Sequence, residues 1–104
     1  MVRDEDVAYH AKGTYAMYPN WLPKLGTDLF SAINAYTIGI ELELLKTDPD
    51  GAYTDNQYET LAALIHLLRT RHNFVADRAH IIGHYQVQAN RTDPRGLNWQ
   101  RLGI

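Results

Sequence analysis

The chain has 104 residues, a length that suits one domain and leaves no room for two. Charged residues at 21% and hydrophobic residues at 45% exclude a disordered or collagen-like chain. A net charge of −2 argues against duplex nucleic acid as the main partner, and the absence of cysteine excludes a disulfide framework, a thiolate nucleophile and a cysteine-held metal.

Residues 1–30 hold no apolar h-region, because Asp4, Glu5, Asp6, His10 and Lys12 interrupt each hydrophobic run. No signal peptide or membrane-inserting helix is expected there. Residues 13–36 are rich in Gly, Pro, Asn and aromatics without a sustained period, and read as a long loop with one helical turn near Asp28–Ile33. Loops of that length are more often functional than incidental, so this one is a candidate cleft wall.

Thr37–Leu45 alternates as a strand does: Ile38, Ile40, Leu42 and Leu44 on a core face, Gly39, Glu41 and Glu43 on the other. Gly39 would leave open space beside Glu41, which would then point into a cleft. Asp48-Pro49-Asp50-Gly51 supplies turn chemistry. Thr54 and Gln57 have capping-box spacing, and Tyr58, Leu61, Ala62, Leu64, Ile65 and Leu68 follow at helical spacing. With Arg69, Arg71 and His72 in the last turn and Asn73 to end it, this predicts an amphipathic helix over about 55–72. His80–His84 reads as a second short strand, and Leu97–Leu102 as a turn of helix. The expected fold is α/β, a single domain over 1–104 with a small mixed β-sheet packed by the amphipathic helix.

Two pairs carry possible chemistry. His84 leaves the end of the second expected strand and Asp93 lies nine positions on, so the two can converge on one metal; on the pair alone, a hydrogen-bonded structural His and an ordinary turn-starting Asp are the commoner reading. Glu41 and Glu43 share a strand face at roughly 6–7 Å, a spacing open to an inverting glycosidase or to a solvated strand face. His66, His72 and His80 take no role.

The order of five blocks adds to this. Ala8-Tyr9-His10-Ala11-Lys12-Gly13, Asn34 with Ile38-Gly39-Ile40-Glu41-Leu42, Tyr53-Thr54-Asp55-Asn56-Gln57-Tyr58, Ile82-Gly83-His84 and Arg91-Thr92-Asp93-Pro94 together resemble the zinc-dependent N-acetylmuramoyl-L-alanine amidases of the phage-lysozyme and peptidoglycan-recognition type. The resemblance runs from residue 8 to the end. It implies hydrolysis of the amide between muramic acid and L-alanine in peptidoglycan or a muropeptide. By the same resemblance His84 and Asp93 are metal ligands for zinc, Glu41 handles the proton of the attacking water, Arg91 stabilises the oxyanion, and His10 lines the substrate cleft.

The chain departs from the family pattern in three places. The segment from His84 to Asp93 is one residue shorter than the common form and lacks its Pro-Gly pair. Arg91 stands where Lys is usual; it can stabilise an oxyanion but stays ionised and cannot act as a general acid. The family's first zinc His lies upstream of the block containing His10, and this chain starts nine residues before it. The expectation is a truncated or naturally short domain with an incomplete zinc set, which by itself binds zinc weakly or not at all and shows little amidase activity. The alternative is a catalytically inactive peptidoglycan-binding module. A sheet edge left open by missing strands would offer a surface for a homodimer.

Overall fold

The structure, a computed structural model, describes residues 9–11, 33–34, 36–44, 53–88 and 90–104. The chain divides into two compact units, Met1–Glu41 with Gly83–Asp93, and Leu42–Ile82 with Pro94–Ile104. Most of the expected loop over 13–36, the helical turn near Asp28 and the turn at Asp48–Gly51 lie outside the described residues; Ile33, Asn34 and Tyr36 are helical.

The second unit is built on one helix, Asp55–His72. Its start follows from the capping box: Gln57 N–H donates to Thr54 Oγ1 at 3.1 Å, and Thr54 N–H donates to Gln57 Oε1 at 2.8 Å. Asp55 sits in the first turn and Arg69, Arg71 and His72 in the last, each sign matching the helix dipole. Asn73 ends the helix in the left-handed conformation, φ 53°, with its N–H bonded to Arg69 O at 2.8 Å. Thr54→Ala is expected to cost about 1 kcal/mol, read as a lower denaturant midpoint at unchanged slope.

The helix buries Tyr58, Leu61, Ile65 and Leu68. Tyr58, Leu61 and Ile65 form a core with Tyr53 and Leu97, and Leu42, Leu44, Ala76, Ile81, Trp99 and Leu102 pack against it. Tyr53 and Tyr58 meet edge to face, ring centroids 6.2 Å apart. The Tyr58 hydroxyl accepts the Asn98 N–H at 2.9 Å, so this ring keeps its polar end satisfied while its body is buried. The C-terminal turn is a 3₁₀ helix, Trp99–Leu102, capped by Asn98 Oδ1. Arg101 lies over the Tyr58 ring at 4.0 Å and bonds Asp55 at 2.7 Å, and Arg78 lies over the Trp99 ring at 3.5 Å. Among the described residues no helix is long and apolar enough to cross a membrane.

The expected mixed β-sheet is not found among the described residues: neither 37–44 nor 80–84 is a strand. The reasons differ. In 37–44 the period-2 accessibility holds only in part, with Leu42 and Leu44 against the core and Ile38 and Ile40 about two-fifths exposed. Alternation dictates faces, whereas a strand also needs a ladder partner for its N–H and C=O groups. In 80–84 the backbone is committed locally. His80 and Ile81 N–H groups bond to Asp77 O at 3.2 and 2.8 Å, Gly83 N–H bonds to Gln86 Oε1 at 2.9 Å, and His84–Gln86 form a 3₁₀ helix. The sheet edge expected to support a homodimer therefore has no counterpart among the described residues.

Asp77 organises that turn. Its Oδ1 accepts the Ala79 and His80 N–H groups, both at 3.0 Å, and faces His80 Nδ1 at 2.7 Å. The side-chain hydrogen bond from His80, assisted by these amides, holds the Asp77 carboxyl below its ordinary value of 3.8. A folded value below the unfolded one means the turn's stabilisation is complete above pH 3.8 and is lost as pH falls through the folded value. Following the Asp77 carboxyl carbon by NMR against pH, the midpoint is expected to rise in His80→Ala. An unmoved midpoint would exclude His80 as the main cause.

Candidate active site

Gly83–Asp93 supplies three of the expected site residues, and its path is set by short-range hydrogen bonds. Gly83 opens the 3₁₀ helix His84–Gln86. The Val87 and Gln88 N–H groups return to His84 O at 3.1 and 3.0 Å, and the Arg91 N–H returns to Gln88 O at 3.1 Å. Tyr85 N–H donates to Asp93 O at 3.2 Å, which draws the end of the segment back to its start. That closure places the His84 and Asp93 side chains together, with Nδ1 and Oδ2 3.1 Å apart. The His84 side chain is 21% exposed and that of Asp93 60%.

The other face of the His84 ring meets Gln88. His84 Nε2 lies 2.8 Å from Gln88 Oε1, and Gln88 Nε2 donates to Asn90 Oδ1 at 3.0 Å. Gln88 is buried. No site role was expected of it from the sequence, where the one signal is its place four residues after His84, a single helical turn. Arg91 is exposed, and among the described residues its guanidinium makes no ion pair.

His10 and Glu41 belong to the same unit as His84, Arg91 and Asp93. Asn34, almost fully buried, clamps the chain at His10: its Oδ1 accepts the His10 and Ala11 N–H groups at 2.9 and 3.1 Å, and its Nδ2 donates to Ala11 O at 2.7 Å. One amide side chain thus does for Ala11 what a neighbouring strand does for a ladder residue. The Thr37 hydroxyl donates to Ile33 O at 2.5 Å, so toward His10 Nε2, 2.7 Å away, it can only accept. The open space expected over Gly39 is filled by the His10 ring, since a Cβ built there would fall 2.7 Å from His10 Cγ. Glu41 itself is exposed and makes no ion pair among the described residues.

The His84–Asp93 pair fits a zinc ion in donor type and spacing. A nitrogen and an oxygen on one tetrahedral zinc, each about 2.1 Å from it, stand about 3.4 Å apart. The observed 3.1 Å needs little opening. No group of three or more possible metal ligands occurs among the described residues.

Comparison with known proteins supports the family resemblance. The chain is 41% identical over 71 residues to the 1,6-anhydro-N-acetylmuramyl-L-alanine amidase AmpD of Citrobacter freundii, a match that covers 66% of this chain and 35% of that relative. The matched part is thus about a third of the relative's length. No solved structure matches. The family described as N-acetylmuramoyl-L-alanine amidase matches residues 1–96, nearly the whole chain, and the protein belongs to that family.

Proposed function

We propose that the protein acts in a peptidoglycan amidase, hydrolysing the amide between N-acetylmuramic acid and L-alanine with zinc held in part by His84 and Asp93. The observation that carries this reading is the 3.1 Å approach of two metal-type donors, built by a closed local segment, in a chain of this family. When bound, zinc supplies Lewis acidity that makes hydroxide available near neutral pH.

The chain's own residues supply the rest. The Glu41 carboxylate takes the proton from the attacking water and returns it to the leaving amine of L-alanine. The Arg91 guanidinium donates to the carbonyl oxygen as negative charge builds on it, and it remains charged throughout. His10, its ring held by Thr37 and its backbone by Asn34, forms a fixed wall for the substrate.

The test is to incubate the zinc-supplemented protein with muramyl-peptides and follow the appearance of free amino-terminal L-alanine, with and without a chelator. Chelator-sensitive release is the expected result. Saturable muramyl-peptide binding without release would replace this reading with that of a binding module.

A further inference from the structure

We propose that His10 is a positioning residue for Glu41: its ring, seated over Gly39, fixes the chain two residues before the carboxylate and so sets where that carboxylate meets the attacking water. The proposal rests on the reading of Glu41 given above. It adds to the wall role of His10 a second one, exercised through the backbone.

Three points on one short stretch hold His10. Asn34 Oδ1 accepts its N–H at 2.9 Å, and the Thr37 hydroxyl lies 2.7 Å from its Nε2. A Cβ at Gly39 would fall 2.7, 2.8 and 2.9 Å from its Cγ, Cβ and Cδ2. The first point is built into the core, since Asn34 is 2% exposed and also bonds both backbone groups of Ala11. The second is directional, because the Thr37 hydroxyl commits its proton to Ile33 O and turns a lone pair to the ring. The third is a close approach that only a residue without a side chain permits. All of these residues belong to one unit.

The consequence falls on Glu41. Among the described residues no backbone–backbone hydrogen bond ties residues 38–41, and Ile38 and Ile40 are 42% and 41% exposed. Neither a ladder nor the core anchors this stretch, and the seat at Gly39 is the fixed point nearest to the carboxylate. At about 3.3 Å per residue the Glu41 Cα stands at most about 7 Å from that point, against about 13 Å from Thr37. A shorter free arm confines the carboxylate more closely, and a misplacement of about 1 Å is enough to cost about 10²-fold in rate.

The experiment uses the whole chain. Thr37→Val keeps the side-chain shape and removes the hydroxyl, Thr37→Ser keeps the hydroxyl, and Gly39→Ala unseats the ring from the other side. The first readout needs no metal: backbone ¹⁵N order parameters at residues 39–41. They are expected at about 0.85 in the wild type and Thr37→Ser, and below about 0.6 in Thr37→Val and Gly39→Ala, with helical circular dichroism unchanged. Wild-type values already below about 0.6, or values unmoved in both variants, overturn the proposal. The second readout is turnover of muramyl-peptides by the zinc-loaded protein. Thr37→Val is expected to lower kcat roughly 10–100-fold with KM nearly unchanged, and to lower it no further in a Glu41→Gln background, since residues that act as a unit do not add. A loss confined to KM makes His10 a wall alone, and an additive loss in the double variant separates it from Glu41; either overturns the proposal. Wild-type turnover in Glu41→Gln, or none in the zinc-loaded wild type, overturns the hydrolytic reading of Glu41 and with it the purpose of the seat, while the order parameters still show whether the seat exists.

Discussion

In a zinc-competent form of the protein, replacing Glu41 with Gln is expected to lower turnover of muramyl-peptides by roughly 10²–10⁴-fold, the range for loss of a general base. The substitution keeps the shape of the side chain and removes its capacity to take a proton. Glu41 is exposed and makes no ion pair among the described residues, so its loss of charge leaves no buried partner uncompensated. Thermal stability is accordingly expected to stay close to that of the wild type. Substrate affinity should also change little, because the role assigned to Glu41 is exercised in the transition state; the loss falls on kcat. Measuring kcat and KM for wild type and Glu41→Gln under zinc saturation checks this. Wild-type turnover in the variant would remove Glu41 from the mechanism, and a loss confined to KM would recast it as a binding group.

Leu61→Ala is expected to destabilise the protein by about 2–5 kcal/mol, the cost of a cavity where a buried Leu side chain stood. Leu61 is 7% exposed and belongs to the cluster formed with Tyr53, Tyr58, Ile65 and Leu97. Its cluster also holds the edge-to-face pair Tyr53 and Tyr58. Leu64, assigned from its spacing to the same buried face, is half-buried, and Leu67 is half exposed. The three substitutions to Ala therefore rank Leu61 above Leu64 above Leu67 in lost stability, measured by urea unfolding. An equal effect at all three positions would mean that the helix buries a different stripe.

The helix was legible because everything that defines it is local. Thr54, Gln57 and Asn73 mark its ends within a few residues, and the spacing of Tyr58, Leu61, Ile65 and Leu68 marks its inner face. A turn of helix was expected over Leu97–Leu102, and a 3₁₀ helix, Trp99–Leu102, capped by Asn98, is found there. The strands expected from alternation were not sustained, since pairing depends on distant backbone that a local pattern does not contain. At 80–84 a nearer competitor also prevailed: the Asp77 carboxylate and carbonyl collect the amides that a ladder would need.

The order of five sequence blocks pointed to the family, and the residues His10, Glu41, His84, Arg91 and Asp93 belong to one unit. The pairing of His84 with Asp93 was anticipated as a convergence across an irregular segment, and it is present at hydrogen-bond distance. The supports of the site were less visible. Gln88 and Asn34 are buried polar residues whose partners are decided by tertiary geometry, and neither has a sequence period that reveals it. The glycine beside Glu41 was read as empty space, whereas its missing side chain is what admits His10.

That last contact links two positions that evolution would otherwise sample independently. With the His10 ring where it is, even a methyl at position 39 would crowd it, so a larger residue there requires the ring to shift for as long as the histidine is kept. A lineage that first replaced His10 with a smaller residue would release position 39 to drift, whereas the opposite order would pass through an intermediate with a steric clash. Descendants should therefore show larger residues at 39 only on backgrounds that have already lost the ring at 10, a one-way historical gate written into a single backbone approach.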